Sequence, residues 1–109
     1  MEISVTLAPP DRRRAKPHGA DRLGFGTCFS DHMFLMEHVQ GAGWGNARIV
    51  PYGPLSIQPT AVVLHYAQEV FEGLKAYYGR DGSVCLFRPE MNARRLNRSA
   101  ARLCMPAIP

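Results

Sequence analysis

Long apolar runs are missing from this 109-residue chain: the longest plain aliphatic stretch is Ala61 to Leu64, far short of the ~20 residues that span a bilayer as a helix. No membrane association is therefore expected. The N-terminus carries no apolar segment ahead of its basic cluster, so a secretory leader is not expected, and Glu2 and Asp11 count against a mitochondrial presequence. The expected location is the cytoplasm. Cysteine is sparse, with only Cys28, Cys85 and Cys104 and no CxxC pair. That excludes the usual zinc and dithiol signatures and leaves buried free thiols as the expectation. His18, His32, His38 and His65 have no metal-ligand spacing, and neither HExxH nor a Walker A loop occurs. Internal repeats and low-complexity segments are absent as well. Lysine is the scarcest cation, present only as Lys16 and Lys75.

What remains is an ordinary globular composition, 46% hydrophobic and 20% charged, which argues against wholesale disorder. The net charge of +4 is unevenly spread. One basic cluster, Arg12, Arg13, Arg14 and Lys16, sits among prolines and reads as a solvated arm; the other is Arg88, Arg94, Arg95, Arg98 and Arg102.

In chain order, ISVTL at 3–7 suits a short strand, and Pro9, Pro10 and Pro17 break regular structure beyond it, so that residues 1–23 read as an irregular arm. Phe25 stands on a glycine-flanked corner, and Phe29 to Val39 reads as a strand. Gly41 to Asn46 is a hairpin connection rather than a phosphate loop, since it lacks GxGxxG and no helix comes after it. Ala47 to Tyr52 and Leu55 to Ile57 read as short strands at edge positions, given the nearby prolines. Thr60 is placed to cap a helix to about Glu72, with Tyr66 and Phe71 on its apolar face, Glu69 and Glu72 towards water, and Gly73 as its left-handed stop. Leu74 to Tyr78 and Ser83 to Phe87 alternate around Gly79-Arg80-Asp81-Gly82, a strong hairpin signal. Pro89 then opens a helix to about Cys104, with Glu90 in its first turn. Its apolar stripe is Ala93, Leu96, Ala100 and Leu103, and Arg95 lies at the boundary of that stripe.

Few residues suit chemistry. Ser30-Asp31-His32 cannot form a triad, because neighbours on a strand point to alternate faces. Asn97-Arg98-Ser99 matches a glycosylation acceptor but falls within the helix, and His65 suits a role in orienting backbone. A Schiff-base lysine needs desolvation or a cationic neighbour. Lys75 instead has Glu72 and Tyr77 nearby, so it reads as a surface or salt-bridging lysine. The arginine helix has two readings, a solvated polar face or a guanidinium fork that clamps phosphate.

The stretches FGTCFSDHMFLMEH, GWGNARIVPYGPLSIQP, VLHYAQEVFEGLKAYYGRDGSVCLFRP and NARRLNRSAARL closely resemble the N-terminal part of branched-chain amino acid aminotransferases, in particular actinobacterial-like bacterial ones. The resemblance runs from Gly24 to Pro109, is carried most specifically by LHYAxExFEGLKAY, and is loose over residues 1–23. It implies a fold-type IV enzyme of two α/β domains, acting as a homodimer with pyridoxal 5′-phosphate. Such an enzyme moves an amino group between leucine, isoleucine or valine and 2-oxoglutarate. Within it, residues 24–109 would be a partial small domain, α+β in character, mainly antiparallel strands with two helices, and the C-terminal domain would be absent. Arg95 falls on the family's cofactor-phosphate arginine, and Phe25, Tyr66 and Phe71 on aromatic positions walling the side-chain pocket. Neither Lys16 nor Lys75 falls on the Schiff-base lysine, so no catalytic residue is expected here and the chain alone is expected to be an inactive fragment. D-amino acid aminotransferase and aminodeoxychorismate lyase share the implied fold, and a small basic nucleic-acid-binding module is the reading from another class. The FEGLKAY context and the aromatic positions favour the branched-chain enzyme.

Overall fold

The computed structural model describes residues 2–17 and 24–109. The expected boundary after residue 23 falls at the edge of residues 18–23, outside the described ones. The elements are β1 (Ser4–Val5), a 3₁₀ turn (Pro10–Arg12), β2 (His32–Val39), β3 (Gly43–Pro51), α1 (Val62–Tyr66), β4 (Ala76–Tyr78), β5 (Val84–Leu86) and α2 (Pro89–Arg102). This is an α+β arrangement of mostly antiparallel strands with two α-helices, as expected. The chain divides into two compact units between Ser56 and Ile57.

In the first unit the strand order is β1-β3-β2, with β2 and β3 antiparallel and β1 parallel to β3. A bulge interrupts the β2–β3 register, where Leu35 faces Arg48 but Glu37 faces Gly45. The extra residue falls on β3, and Asn46 there takes φ 53°, a left-handed conformation that asparagine tolerates better than most residues. Its side-chain amide and the Arg48 guanidinium both donate to Glu37, at 3.2 and 2.6 Å, and hold that carboxyl below its ordinary range, Arg48 contributing most.

The first basic cluster is exposed throughout, as expected, but two of its arginines are tied to backbone carbonyls. Arg13 Nε donates to the Ala8 carbonyl at 3.1 Å. Arg14 donates to the carbonyls of Phe29 and Ser30, and its guanidinium stacks 4.9 Å above the Tyr52 ring, which itself stacks on Phe29. Ser30, Asp31 and His32 are equally occupied with structure. Ser30 Oγ donates to the His32 carbonyl, Asp31 Oδ1 accepts from the Arg14 amide, and His32 Nε2 accepts from the Ala8 amide. Leu55 to Ile57 forms no strand, since Pro54 and Pro59 flank it and Pro removes ladder donors.

In the second unit the β4–β5 hairpin pairs Ala76 with Leu86 and Tyr78 with Val84. Gly82, at φ +81°, supplies the left-handed turn position that its Asp-Gly pair announces. Asp81 accepts from both the amide and the hydroxyl of Ser83, which lowers its pKa. The preceding helix is much shorter than expected. Ala61, not Thr60, is its N-cap and makes no side-chain cap, and the helix stops where Ala67 turns left-handed at φ 48°, ψ 40°. Residues 67–75 are therefore not helical, and Gly73 is not a helix stop.

α2 ends close to where its sequence breaks. Leu103 is the C-cap, and the Cys104 and Met105 amides return to the carbonyls of Ala101 and Ala100 at 3.2 and 3.0 Å. That pattern is a Schellman closure with Cys104 in the left-handed slot at φ 55°, where glycine is normally preferred. Beyond it, Asn97 ties down the tail with both halves of its amide, donating to the Ile108 carbonyl and accepting from the Ile108 amide, each at 2.8 Å. Among the described residues only Ala8, Ala47 and Ala100 are buried apolar groups, and all three cysteines are exposed rather than buried. Replacing Cys104 by Gly is accordingly expected to stabilise the second unit by about 1 kcal/mol, the cost of a Cβ in that conformation, read as a rise in the urea midpoint. An unchanged or lower midpoint would mean that the left-handed cap is not maintained in solution.

Candidate functional site

A cluster of charged and polar groups in the second unit forms where residues 68–73 lie against α2. At one end of that segment, Gln68 Nε2 donates to the Leu103 carbonyl at 2.8 Å, satisfying an orphan group at the helix end. At the other end, Asn92 Nδ2 donates to the Gly73 carbonyl at 2.7 Å and to Glu72 Oε1 at 3.0 Å. Arg95 completes the knot, with Nε donating to Glu72 Oε2 at 2.6 Å and Nη2 to Glu72 Oε1.

Glu72 is thus not a water-facing carboxylate. Its side chain is 12% exposed, while that of Arg95 is 58% exposed. The Arg95 hydrogen bonds, helped by the one from Asn92, bring the Glu72 pKa down to about 2, and Glu72 in turn raises that of Arg95. Engaging Glu72 in this way removes the partner expected for Lys75, which makes no ion pair among the described residues. Lys75 instead lines an open cleft of about 400 Å³ with Gly73, Leu74, Tyr77, Phe87 and Asn92.

The other expected site residues are differently placed. Phe25, in the first unit, is 99% exposed; Tyr66 and Phe71, in the second, are 84% and 85% exposed. Tyr66 closes α1, whereas Phe71 lies beyond Ala67, so the two do not share a helical face. His65 does orient backbone, donating a ring N–H to the Pro59 carbonyl at 2.6 Å. Sequence reading placed Glu72 towards water and beside Lys75, and gave Asn92 no role. The available signal was the unusual placement of a Glu directly before Gly73, with Asn92 and Arg95 one helical turn apart on α2.

The guanidinium arithmetic defines what the site can bind. Arginine has five N–H donors, and Glu72 takes one on Nε and one on Nη2. The end-on edge, Nη1 together with the second Nη2 hydrogen, remains for another acceptor. A carboxylate or a phosphate oxygen pair matches that fork. Glu72 is expected to titrate in the intact chain at about 2 rather than its ordinary 4.5. Because the folded-state value is depressed, the pair's contribution to stability is complete above pH 4.5 and is lost as pH falls towards 2. Side-chain carboxyl carbon NMR measures this directly, and a midpoint near 4.5 would mean that the pair does not persist.

No family model matches the chain. Curated proteins do. It is 56% identical over 86 residues to the branched-chain-amino-acid aminotransferase of Mycobacterium tuberculosis strain CDC 1551, covering 79% of this chain and 23% of that protein. It is 53% identical over 106 residues to branched-chain-amino-acid aminotransferase 2 of Bacillus subtilis, covering 97% of this chain and 28% of the relative. That match reaches well into residues 1–23. It is 45% identical over 113 residues to the cytosolic branched-chain-amino-acid aminotransferase of Saccharomyces cerevisiae, covering 95% of this chain and 30% of the relative. The matched stretch spans between 23% and 30% of the length of these relatives. Over most of its length, then, the chain is similar in sequence to a stretch of branched-chain-amino-acid aminotransferases.

Proposed function

We propose that this chain is the side-chain-binding and phosphate-anchoring part of an aminotransferase that exchanges the amino group of leucine, isoleucine or valine with 2-oxoglutarate. The observation that carries the reading is 45–56% identity, over most of the chain, to proteins named for that activity. The other fold-type IV enzymes have no comparable support. Nor does a basic nucleic-acid module, since Arg13 and Arg14 are bound to backbone carbonyls of their own unit.

Pyridoxal 5′-phosphate, when bound to such an enzyme, supplies the electron sink that makes the α-proton of an amino acid acidic. The residues here fit its phosphate at one point. Arg95 retains an unused, solvent-facing fork, and α2 carries Arg94 and Arg98 beside it. In this reading Arg95 binds two phosphate oxygens. Phe25, Tyr66 and Phe71 offer apolar surface to a branched aliphatic side chain, which such surfaces select by contact and shape. None of these groups exchanges a proton with substrate. The lysine that does so belongs to the part of the enzyme that this chain does not span. Pairing of two such enzymes into a homodimer and residence in the cytoplasm, as in the name of the yeast relative, belong to the same proposal. Among the described residues no helix is long and apolar enough to cross a membrane.

The test is a chimera in which residues 24–109 replace the corresponding segment of the Mycobacterium tuberculosis enzyme. It is expected to form glutamate from 2-oxoglutarate in the presence of leucine. Arg95→Ala in that chimera should weaken cofactor binding by about tenfold to a hundredfold, the loss of a charge-assisted pair. A folded chimera without transaminase activity would sink the proposal. Separately, the isolated chain treated with pyridoxal 5′-phosphate and borohydride should yield no stoichiometric adduct at Lys75 by peptide mass spectrometry. Such an adduct would give Lys75 the reactive role denied to it here.

A further inference from the structure

We infer that Glu72 is a positioning residue: it grips the Nε edge of Arg95 and so presents the opposite, end-on edge of the guanidinium to a phosphate group. This deepens the proposed function and rests on its assignment of Arg95 as the phosphate ligand.

An unpaired arginine on a helix surface samples many rotamers, and an anion that binds it must order the whole side chain. Arg95 does not start from that state. Glu72 engages it through two hydrogen bonds, from Nε and Nη2, a bidentate pairing that fixes the plane of the guanidinium as well as its position. Glu72 is itself held. Its Oε1 accepts from Asn92, whose amide also donates to the neighbouring Gly73 carbonyl. The carboxylate is largely covered, at 12% exposure, whereas Arg95 remains 58% exposed. The inner edge of the guanidinium is thus occupied from within the unit, and the outer edge is left for a ligand from outside it.

A carboxylate next to a phosphate site also repels the ligand, so Glu72 could instead act as a competitor that the phosphate displaces. The edge it uses separates the two roles. A positioning Glu72 stays on Nε while phosphate binds Nη1 and Nη2. A competing Glu72 leaves Nε when phosphate arrives.

Arginine-detected NMR on the whole chain distinguishes them, with inorganic phosphate and pyridoxal 5′-phosphate as probes and pyridoxal as the phosphate-free control. Both phosphates are expected to shift the Arg95 Nη resonances while the Nε–H signal stays exchange-protected; pyridoxal should shift neither. Loss of Nε–H protection on phosphate addition would overturn the positioning role. Two variants with the same charge then isolate it. Glu72→Gln keeps one acceptor for Arg95, and Glu72→Met fills the same volume with none. The Met variant should bind phosphate about two- to tenfold more weakly than the Gln variant, the cost of ordering one loose long side chain. Equal affinities would overturn the inference while leaving Arg95 as the phosphate ligand. If no protein shows a phosphate shift at Arg95, the phosphate assignment and the inference fall together. Unchanged hairpin amides at 76–78 and 84–86 report that each variant is folded, and should the Met variant unfold, the wild-type Nε–H result decides alone.

Discussion

The second unit depends on the tie between Glu72 and α2. Two tethers fix the segment that holds Glu72: Gln68 to the Leu103 carbonyl at one end, and Glu72 to Arg95 and Asn92 at the other. Eight helical residues separate Arg95 from Leu103, a distance of ~12 Å at 1.5 Å per residue. Four residues separate Gln68 from Glu72, and they reach ~13 Å if extended but only ~6 Å if helical. The side chains of Gln68, Glu72 and Arg95 add reach at both ends, and the segment opens on a tight turn in which the Glu69 amide donates to the Ala67 carbonyl at 2.8 Å. α1 stops just before this segment, at Ala67, in a left-handed conformation alanine takes at some cost.

The parts of the fold that were legible in the sequence are those whose determinants are local. The β4–β5 hairpin and the start of α2 are written locally, in Asp81-Gly82 and in Pro89-Glu90, and both stand where those residues put them. The β2–β3 hairpin owes its turn to Gly41 and Gly43, which adopt φ of 85° and 80°. The helix over residues 60–72 was misread because its local pattern is sound: Val63, Tyr66, Ala67, Val70 and Phe71 have helical spacing. The contacts this segment makes instead are with α2, with Asn92 standing 20 residues beyond Glu72, and no window around Ala67 contains it. The tethering within the basic arm was hidden for the same kind of reason. Arg14 looks unpartnered among prolines until the sheet brings the Phe29 and Ser30 carbonyls and the Tyr52 ring to it.

For the candidate site, periodicity put Arg95 at the edge of the apolar stripe, which is where its chain can turn back to a neighbouring segment. Periodicity could not say what it meets. A family resemblance supplied a role for Arg95 but none for Glu72, because the role of a carboxylate depends on its partners and these are set by tertiary contact. Lys75 illustrates the converse. Its neighbours in sequence suggested Glu72 as a partner, and the stronger, bidentate claim of an arginine took that partner away.

Polar tethers rather than a packed interior hold this stretch in place, since the buried apolar residues described are three alanines. Alanine contributes little volume and no directional preference, so burial of this kind cannot specify where a guanidinium points. Hydrogen bonds can, because they have direction. Arg95 is fixed by two of them to a carboxylate that a third, from Asn92, also fixes, and Asn92 is anchored on the same helix as Arg95. The loop closes on itself: α2 orients Glu72 through Asn92, and Glu72 orients the Arg95 of α2. A pair of that kind has little net charge to attract a distant anion. Its advantage is at contact, where an ordered fork with two free donors meets two oxygens without first having to be brought to rest.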